Sequence, residues 1–106
     1  MLSKKKRVTK GVFNILLKDG KTFSNSLFLF YFIKAQSPHY AVVAPKGIFK
    51  TATQRNKYRR IGYNILRSLP VKSGSGIFMY KKPALIAENK DIKESMVSLL
   101  NKINII

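Results

Sequence analysis

Apolar and polar positions change period several times along the chain, and each change marks an element. Val12, Phe13, Leu16 and Leu17 recur at helical spacing, and Gly20 stands where a helix end wants a left-handed residue, so residues 9–19 are expected to form a short helix. Residues 21–23 and 26–34 read as strands. The second contains Leu27-Phe28-Leu29-Phe30-Tyr31-Phe32-Ile33, rich in aromatics and apolar on both faces. Ser37-Pro38 marks a turn, residues 39–44 form a third strand, and Pro45 and Gly47 end it. Thr51-Ala52-Thr53-Gln54 has the form of a capping box, which opens a helix near residue 52 that can run to Leu69 and stops before Pro70. A glycine- and serine-bearing loop over 71–76 leads to a fourth strand over 76–82, closed by Pro83. Asp91 and Glu94 have the spacing of a second capping box, opening a helix that runs to about residue 101. The order α-β-β-β-α-β-α predicts an α+β fold, a single-domain sandwich of three helices and a four-stranded sheet. No repeat or internal boundary interrupts it. Residues 1–106 are expected to be one domain, with residues 1–8 as a basic arm.

Charge narrows the picture most. Twenty-one Lys and Arg face four carboxylates, for a net charge of +17. The carboxylates are Asp19, Glu88, Asp91 and Glu94, so all of the excess lies before residue 88. Self-repulsion of this kind opposes folding, and a polyanionic partner relieves it. The chain has no cysteine, which excludes disulfides and thiolate metal sites and is compatible with a cytoplasmic setting. The longest apolar run, residues 27–33, is too short to span a bilayer, and no helix pairs a basic face with exposed bulky aromatics, so no membrane partner is expected.

The most informative stretch is the helix from Gln54 to Arg67. At about 100° per residue, Tyr58, Ile61, Gly62, Ile65, Leu66 and Leu69 share one arc. Asn56, Lys57, Arg59, Arg60 and Arg67 fall opposite, and Arg55 projects at the apolar edge of the first turn, where it can reach past the helix end. Gly62 inside the apolar arc costs about 1 kcal/mol against Ala, which close approach to the sheet would offset. Exposed helices ordinarily mix signs for pairing one turn apart; this one carries no Asp or Glu. Guanidinium forks suit phosphates and an amide can read base edges or sugars, so this face is expected to contact RNA.

A second surface is expected on the sheet. Leu27, Leu29, Tyr31 and Ile33 alternate with Phe28, Phe30 and Phe32, and only one set can pack under the helices. The three Phe are expected to be core. For Tyr31 and Phe13 the pattern leaves core packing and base stacking equally open. The arm Lys4-Lys5-Lys6-Arg7 and the pair Lys81-Lys82 can meet phosphates or simply keep the chain soluble.

No catalytic constellation is apparent. His39 is the only histidine and opens a strand, which favours a surface role over that of a base. Glu88 and Asp91 could hold a hydrated Mg²⁺, though capping explains them more simply. Residues 1–87 offer a single carboxylate, too few for a self-sufficient nuclease, and no metal site in the protein is expected.

Arg55-Asn56-Lys57-Tyr58-Arg59-Arg60-Ile61 resembles the signature of the bacterial ribonuclease P protein subunit, an Arg-Asn-Arg-x-Lys-Arg-Arg run that opens a helix after a strand and a Lys-bearing linker. The basic N-terminus, Phe13, Gly20, Tyr31, Lys46 and the strand ending Tyr80-Lys81-Lys82-Pro83 follow in the family's order. Ile61, Gly47 and Leu17 stand where the family usually has Arg, Lys and an aromatic. The resemblance implies a fold like the second domain of ribosomal protein S5, with a left-handed β-α-β crossover against the usual rule. It implies that a catalytic RNA subunit performs Mg²⁺-dependent hydrolysis, with Mg²⁺ bound mainly by that RNA, and that the substrate is precursor tRNA and not DNA. Lys46, Arg55, Asn56, Lys57, Arg59, Arg60 and Arg67 would then contact the RNA subunit. Phe13, Leu17, Tyr31 and Lys81 would hold the single-stranded 5′ leader. The alternative from a different class is a structural binder of ribosomal RNA.

Overall fold

The structure is a computed structural model, which describes residues 18, 20–36, 38–71 and 73–103. Strand β1 (Lys21–Ser24) turns into β2 (Phe28–Ile33), followed by β3 (His39–Val43), helix α1 (Ala52–Ser68), β4 (Ser75–Tyr80), a 3₁₀ turn (Lys82–Ile86) and helix α2 (Asn89–Lys102). The helix expected over residues 9–19 lies outside the described residues apart from Lys18, as do Phe13, Leu17 and the Lys4–Arg7 arm. The described part is thus a mixed α+β domain with a four-stranded sheet and two α-helices. Strand order is β1-β2-β4-β3, with β1–β2 and β2–β4 antiparallel and β3–β4 parallel. Helix α1 makes the crossover between the two parallel strands.

The β1–β2 hairpin is tied by Asn25. Its Oδ1 accepts the amides of Leu27 at 3.0 Å and Phe28 at 2.9 Å, and its Nδ2 donates to the Ser95 carbonyl in α2 at 3.0 Å. These bonds claim the amides that would have extended the strand, so β2 begins at Phe28 and not at Ser26. Leu27 consequently leaves the face of Tyr31 and joins the core, a correction to strict alternation.

On the inner face, cross-strand register sets Phe30 against Phe78 and Phe28 against Tyr80. The Phe30 and Phe78 rings stack with centroids 4.2 Å apart, and Phe28, Phe30 and Phe32 are all buried. Helix α2 closes the core with Ile92, Met96, Leu99 and Leu100. Helix α1 lies so close to β3 that a Cβ at Gly62 would stand 2.6 Å from a Val42 methyl.

Other boundaries also differ from the sequence expectation. Helix α2 starts at Asn89, because Glu88 is the N-cap and Asp91 is the third helical residue, its Oδ2 accepting the Glu88 amide at 3.2 Å. Asp91 therefore completes a box that Glu88 opens. Pro83 does more than end a strand: it sits in the first turn of the 3₁₀ segment, where its fixed φ suits the bend, and β4 stops at Tyr80. Strand β4 also starts one residue early, at Ser75. Gly74 before it has φ +92°, and Tyr40 donates its hydroxyl to the Ser73 carbonyl at 2.7 Å, pinning the loop to β3.

Replacing Gly62 by Ala gains about 1 kcal/mol of helix propensity but forces Val42 to move, and overpacking typically costs about 1–3 kcal/mol. A Cβ 2.6 Å from a Val42 methyl puts the cost in the upper part of that range, about 2–3 kcal/mol, so the expected result is a net loss of about 1–2 kcal/mol in urea denaturation with an unchanged m value. A Gly62→Ala variant as stable as the parent would contradict the close seating of α1 on β3.

Candidate RNA interface

Helix α1 begins at a Thr51 cap, whose hydroxyl accepts the Gln54 amide at 3.1 Å. Gly62, Ile65 and Leu66 are buried against the core, and Tyr58, Ile61 and Leu69 pack at its margin. Tyr63 is also buried, at 8% exposure, although the helical wheel sets it between Asn56 and Arg59. The buried arc is therefore wider on that side than the spacing of aliphatic residues implies. Asn56, Lys57, Arg59, Arg60, Asn64 and Arg67 remain exposed.

Two side-chain pairs organise this ridge. Arg59 donates through Nη2 to the Asn56 amide oxygen, and Arg67 donates through Nη2 to the Asn64 amide oxygen. An amide partner three residues away orients a guanidinium without neutralising it, leaving its other donors for an external anion. Asn64 was not among the residues read from the sequence. The repeated Asn-x-x-Arg spacing, 56/59 and 64/67, is the signal that would have found it. The described residues contain one salt bridge, Lys90 to Glu88 at 3.6 Å, and it lies away from α1. The cationic ridge is outward-facing and has no carboxylate partner among the described residues.

Arg55 stands apart from the ridge. It is half-buried and donates Nη1 to the Phe49 carbonyl at 2.9 Å, so it reaches past the helix end and straps the β3–α1 linker to α1. Lys46 is exposed in that same linker, where the amides of Ile48 and Phe49 both bond the Pro45 carbonyl. The structure thus brings Lys46 and Arg55 to one end of the parallel pair β3–β4.

The sheet's outer face carries Leu29, Tyr31 and Ile33 from β2, with Tyr31 opposite Thr22 on β1 and Ile77 on β4. All three β2 residues are half-buried, while Ile77 is fully buried. Tyr31 is thus partly accessible on an apolar floor. Lys81 follows β4 at the level of Leu27, about 13 Å along the strands from Tyr31 at roughly 3.3 Å per residue. Its Nζ donates to the Asn25 carbonyl at 2.8 Å, so part of its hydrogen bonding already serves the hairpin.

Burial pushes the hydroxyls of Tyr40 and Tyr80 well above the usual tyrosine range, Tyr80 also through the Tyr58 hydroxyl nearby. Both stay protonated donors, Tyr80 bonding the Tyr58 carbonyl at 2.7 Å and so holding α1 to β4. His39 is half-buried at the start of β3. Glu88 and Asp91 are engaged at the start of α2, and no group of three or more His, Cys, Asp or Glu that could hold a metal ion occurs among the described residues. Nor, among these residues, is any helix long and apolar enough to cross a membrane.

Fold and surface together define a small α+β protein that offers a one-signed guanidinium ridge and, on the outer face of its sheet, a partly accessible Tyr31. A family model for ribonuclease P matches residues 2–104, and the chain belongs to the ribonuclease P protein family. The chain is accordingly RNA-binding and belongs to tRNA processing as part of an endoribonuclease. Family membership does not support the ribosomal-RNA alternative. The fold is that of solved ribonuclease P proteins. Against the protein from Thermotoga maritima the TM-score is 0.79 at 23% identity, covering 91% of this chain and 96% of that one. Against the Staphylococcus aureus protein it is 0.81 at 18% identity, covering 94% and 96%. Against a mutant S. aureus protein with defective mRNA degradation activity it is 0.84 at 18% identity, covering 97% and 92%. A sequence comparison with curated proteins returns no match.

Arg59→Gln with Arg60→Gln should lower the salt slope of RNA binding by about 2, since each phosphate contact contributes roughly 0.7–0.9, and should leave the urea midpoint unchanged. Arg55→Gln should instead lose about 1 kcal/mol of folding stability through its bond to Phe49. A reversed pattern, with Arg59 and Arg60 needed for stability, would show that the ridge serves the fold.

Proposed function

We propose that this chain is the protein subunit that assists a catalytic RNA in removing the 5′ leader of precursor tRNA. The observation that carries this reading is the pair of α1 guanidiniums, Arg59 and Arg67, aligned by amides and, with Arg60, left without a carboxylate partner among the described residues. Lys46, Arg55, Asn56, Lys57, Arg59, Arg60 and Arg67 contact the RNA subunit through its phosphates. Phe13, Leu17, Tyr31 and Lys81 hold the single-stranded leader, with Tyr31 stacking on a base. The half-buried state of Tyr31 supports this, because a ring fixed by its neighbours stacks at little entropic cost.

Hydrolysis belongs to the RNA and its Mg²⁺ ions. The protein screens phosphate repulsion, so that fewer free ions are needed to hold the RNA's folded sites. The engagement of Glu88 and Asp91 at a helix start supports assigning the metals to the RNA. The parallel pair β3–β4 joined by α1 supports the S5-like topology, and we assign its crossover the left hand. Residues 1–106 act as one domain with residues 1–8 as a phosphate-tracking arm, in a cytoplasmic setting.

Adding the purified chain to a bacterial ribonuclease P RNA at limiting Mg²⁺ should accelerate correct 5′ processing of precursor tRNA. Protein alone should cleave nothing. No acceleration, together with tight binding to ribosomal RNA, would overturn the reading.

A further inference from the structure

Asn25 ties the β1–β2 hairpin to α2, and its carbonyl also carries a cation. Lys81 leaves β4 beside Leu27, its amide donating to the Leu27 carbonyl at 2.8 Å. By alternation it continues the outer set of Ile77 and Met79. Its side chain turns across the hairpin, and Nζ donates to the Asn25 carbonyl at 2.8 Å. That carbonyl is held still. The Asn25 side chain accepts the Leu27 and Phe28 amides and donates to the Ser95 carbonyl, in bonds of 2.9–3.0 Å. Ser95 precedes Met96, one of the fully buried residues that seat α2 in the core. Asn25 therefore spans two layers: its side chain serves the helix layer, and its carbonyl serves the rim of the sheet.

An ammonium has three donors, and this bond uses one. A carbonyl fixes the group without cancelling its charge. The one salt bridge among the described residues joins Lys90 to Glu88, so no carboxylate neutralises Lys81. Two donors and a full charge remain for an external anion. A lysine waiting in solvent gives up its torsional freedom when it grips a phosphate, whereas an anchored one has given it up on folding. The same logic governs Arg59 and Arg67, whose guanidiniums are aimed by neutral amide oxygens.

We infer that Asn25 is a positioning residue for substrate binding: through its backbone carbonyl it holds the Lys81 ammonium ready for a phosphate of the 5′ leader. This rests on the assignment of Lys81 to the leader. The hairpin turn thereby acts on RNA that Asn25 itself does not touch.

The test uses holoenzymes reconstituted with the catalytic RNA and the parent chain, Asn25→Ala, Lys81→Gln or the double variant. Ile92→Val serves as a control that loosens the α2 core without touching the anchor. Precursor-tRNA affinity, its salt slope and kcat are measured with enough catalytic RNA to assemble every variant fully. Lys81→Gln should weaken precursor binding and lower the salt slope by roughly 0.7, one contact on a single strand. Asn25→Ala should weaken binding roughly 2- to 10-fold, the cost of ordering one rotamer-rich side chain, with slope and kcat unchanged. In the Lys81→Gln background the same change should add nothing, and Ile92→Val should bind like the parent. An Asn25→Ala loss that persists in the Lys81→Gln background, or that Ile92→Val reproduces, would mean that Asn25 serves only the fold and would overturn the positioning role. Full affinity in Asn25→Ala beside a weakened Lys81→Gln would overturn it as well, leaving Lys81 in the leader site. Full affinity in Lys81→Gln would instead remove Lys81 from the leader site, and the positioning role with it.

Discussion

Seating α1 on the sheet while it carries five basic residues and no acidic ones is the constraint on which the rest of the structure depends. Like charges one turn apart cost a few tenths of a kcal/mol per exposed pair. Burying a single Leu or Ile side chain offsets several such pairs, at about 1.5–3 kcal/mol each. Ile65, Leu66 and Tyr63 are buried on α1, and Gly62 lets the helix axis approach Val42 closely enough for them to reach the core. Packing therefore wins over repulsion. The helix is held by its apolar side, and its charges need no internal counterion.

The internal partners of the ridge follow the same logic. Carboxylates would steady Arg59 and Arg67 more strongly than Asn56 and Asn64 do, but they would cancel the charge that attracts phosphate. Three of the chain's four carboxylates stand instead at 88–94, around the start of α2, where an anion favours the helix dipole. Arg55 marks the boundary between roles: it belongs to the same motif, yet its bond to the Phe49 carbonyl makes it part of the scaffold that presents the others. The family motif thus combines residues that present the surface with residues that form it.

Much of this was legible in the sequence because its local signals are strong. Thr51 as a cap, the apolar arc of α1, the four strands and the close approach at Gly62 all follow from spacing and residue type. What escaped depends on contacts between distant segments. Asn25 reads as an ordinary turn residue, and only the fold shows it joining the hairpin to Ser95 and receiving Lys81. Tyr63 lies in the polar arc of the wheel but is buried, and the wheel alone carries no account of neighbours beyond the helix. Glu88 reads as a capping residue, but the Asp91 and Glu94 spacing offers the more familiar box, and only the fold shows Glu88 as the N-cap with Asp91 at the third helical position. Of the candidate site, the α1 ridge was read almost complete, whereas the sheet surface was readable only as two alternating sets of side chains.

The most direct test of the outward guanidinium ridge exploits the absence of cysteine from the chain. A single Asn64→Cys or Ser98→Cys substitution accepts a tethered iron chelate that cleaves nearby RNA by hydroxyl radicals. In the assembled holoenzyme, the chelate at position 64 should cut the catalytic RNA at a few clustered sites, and that at position 98 on α2 should give only background. Cuts from position 98 alone, or equal scattered cuts from both, would contradict docking through α1.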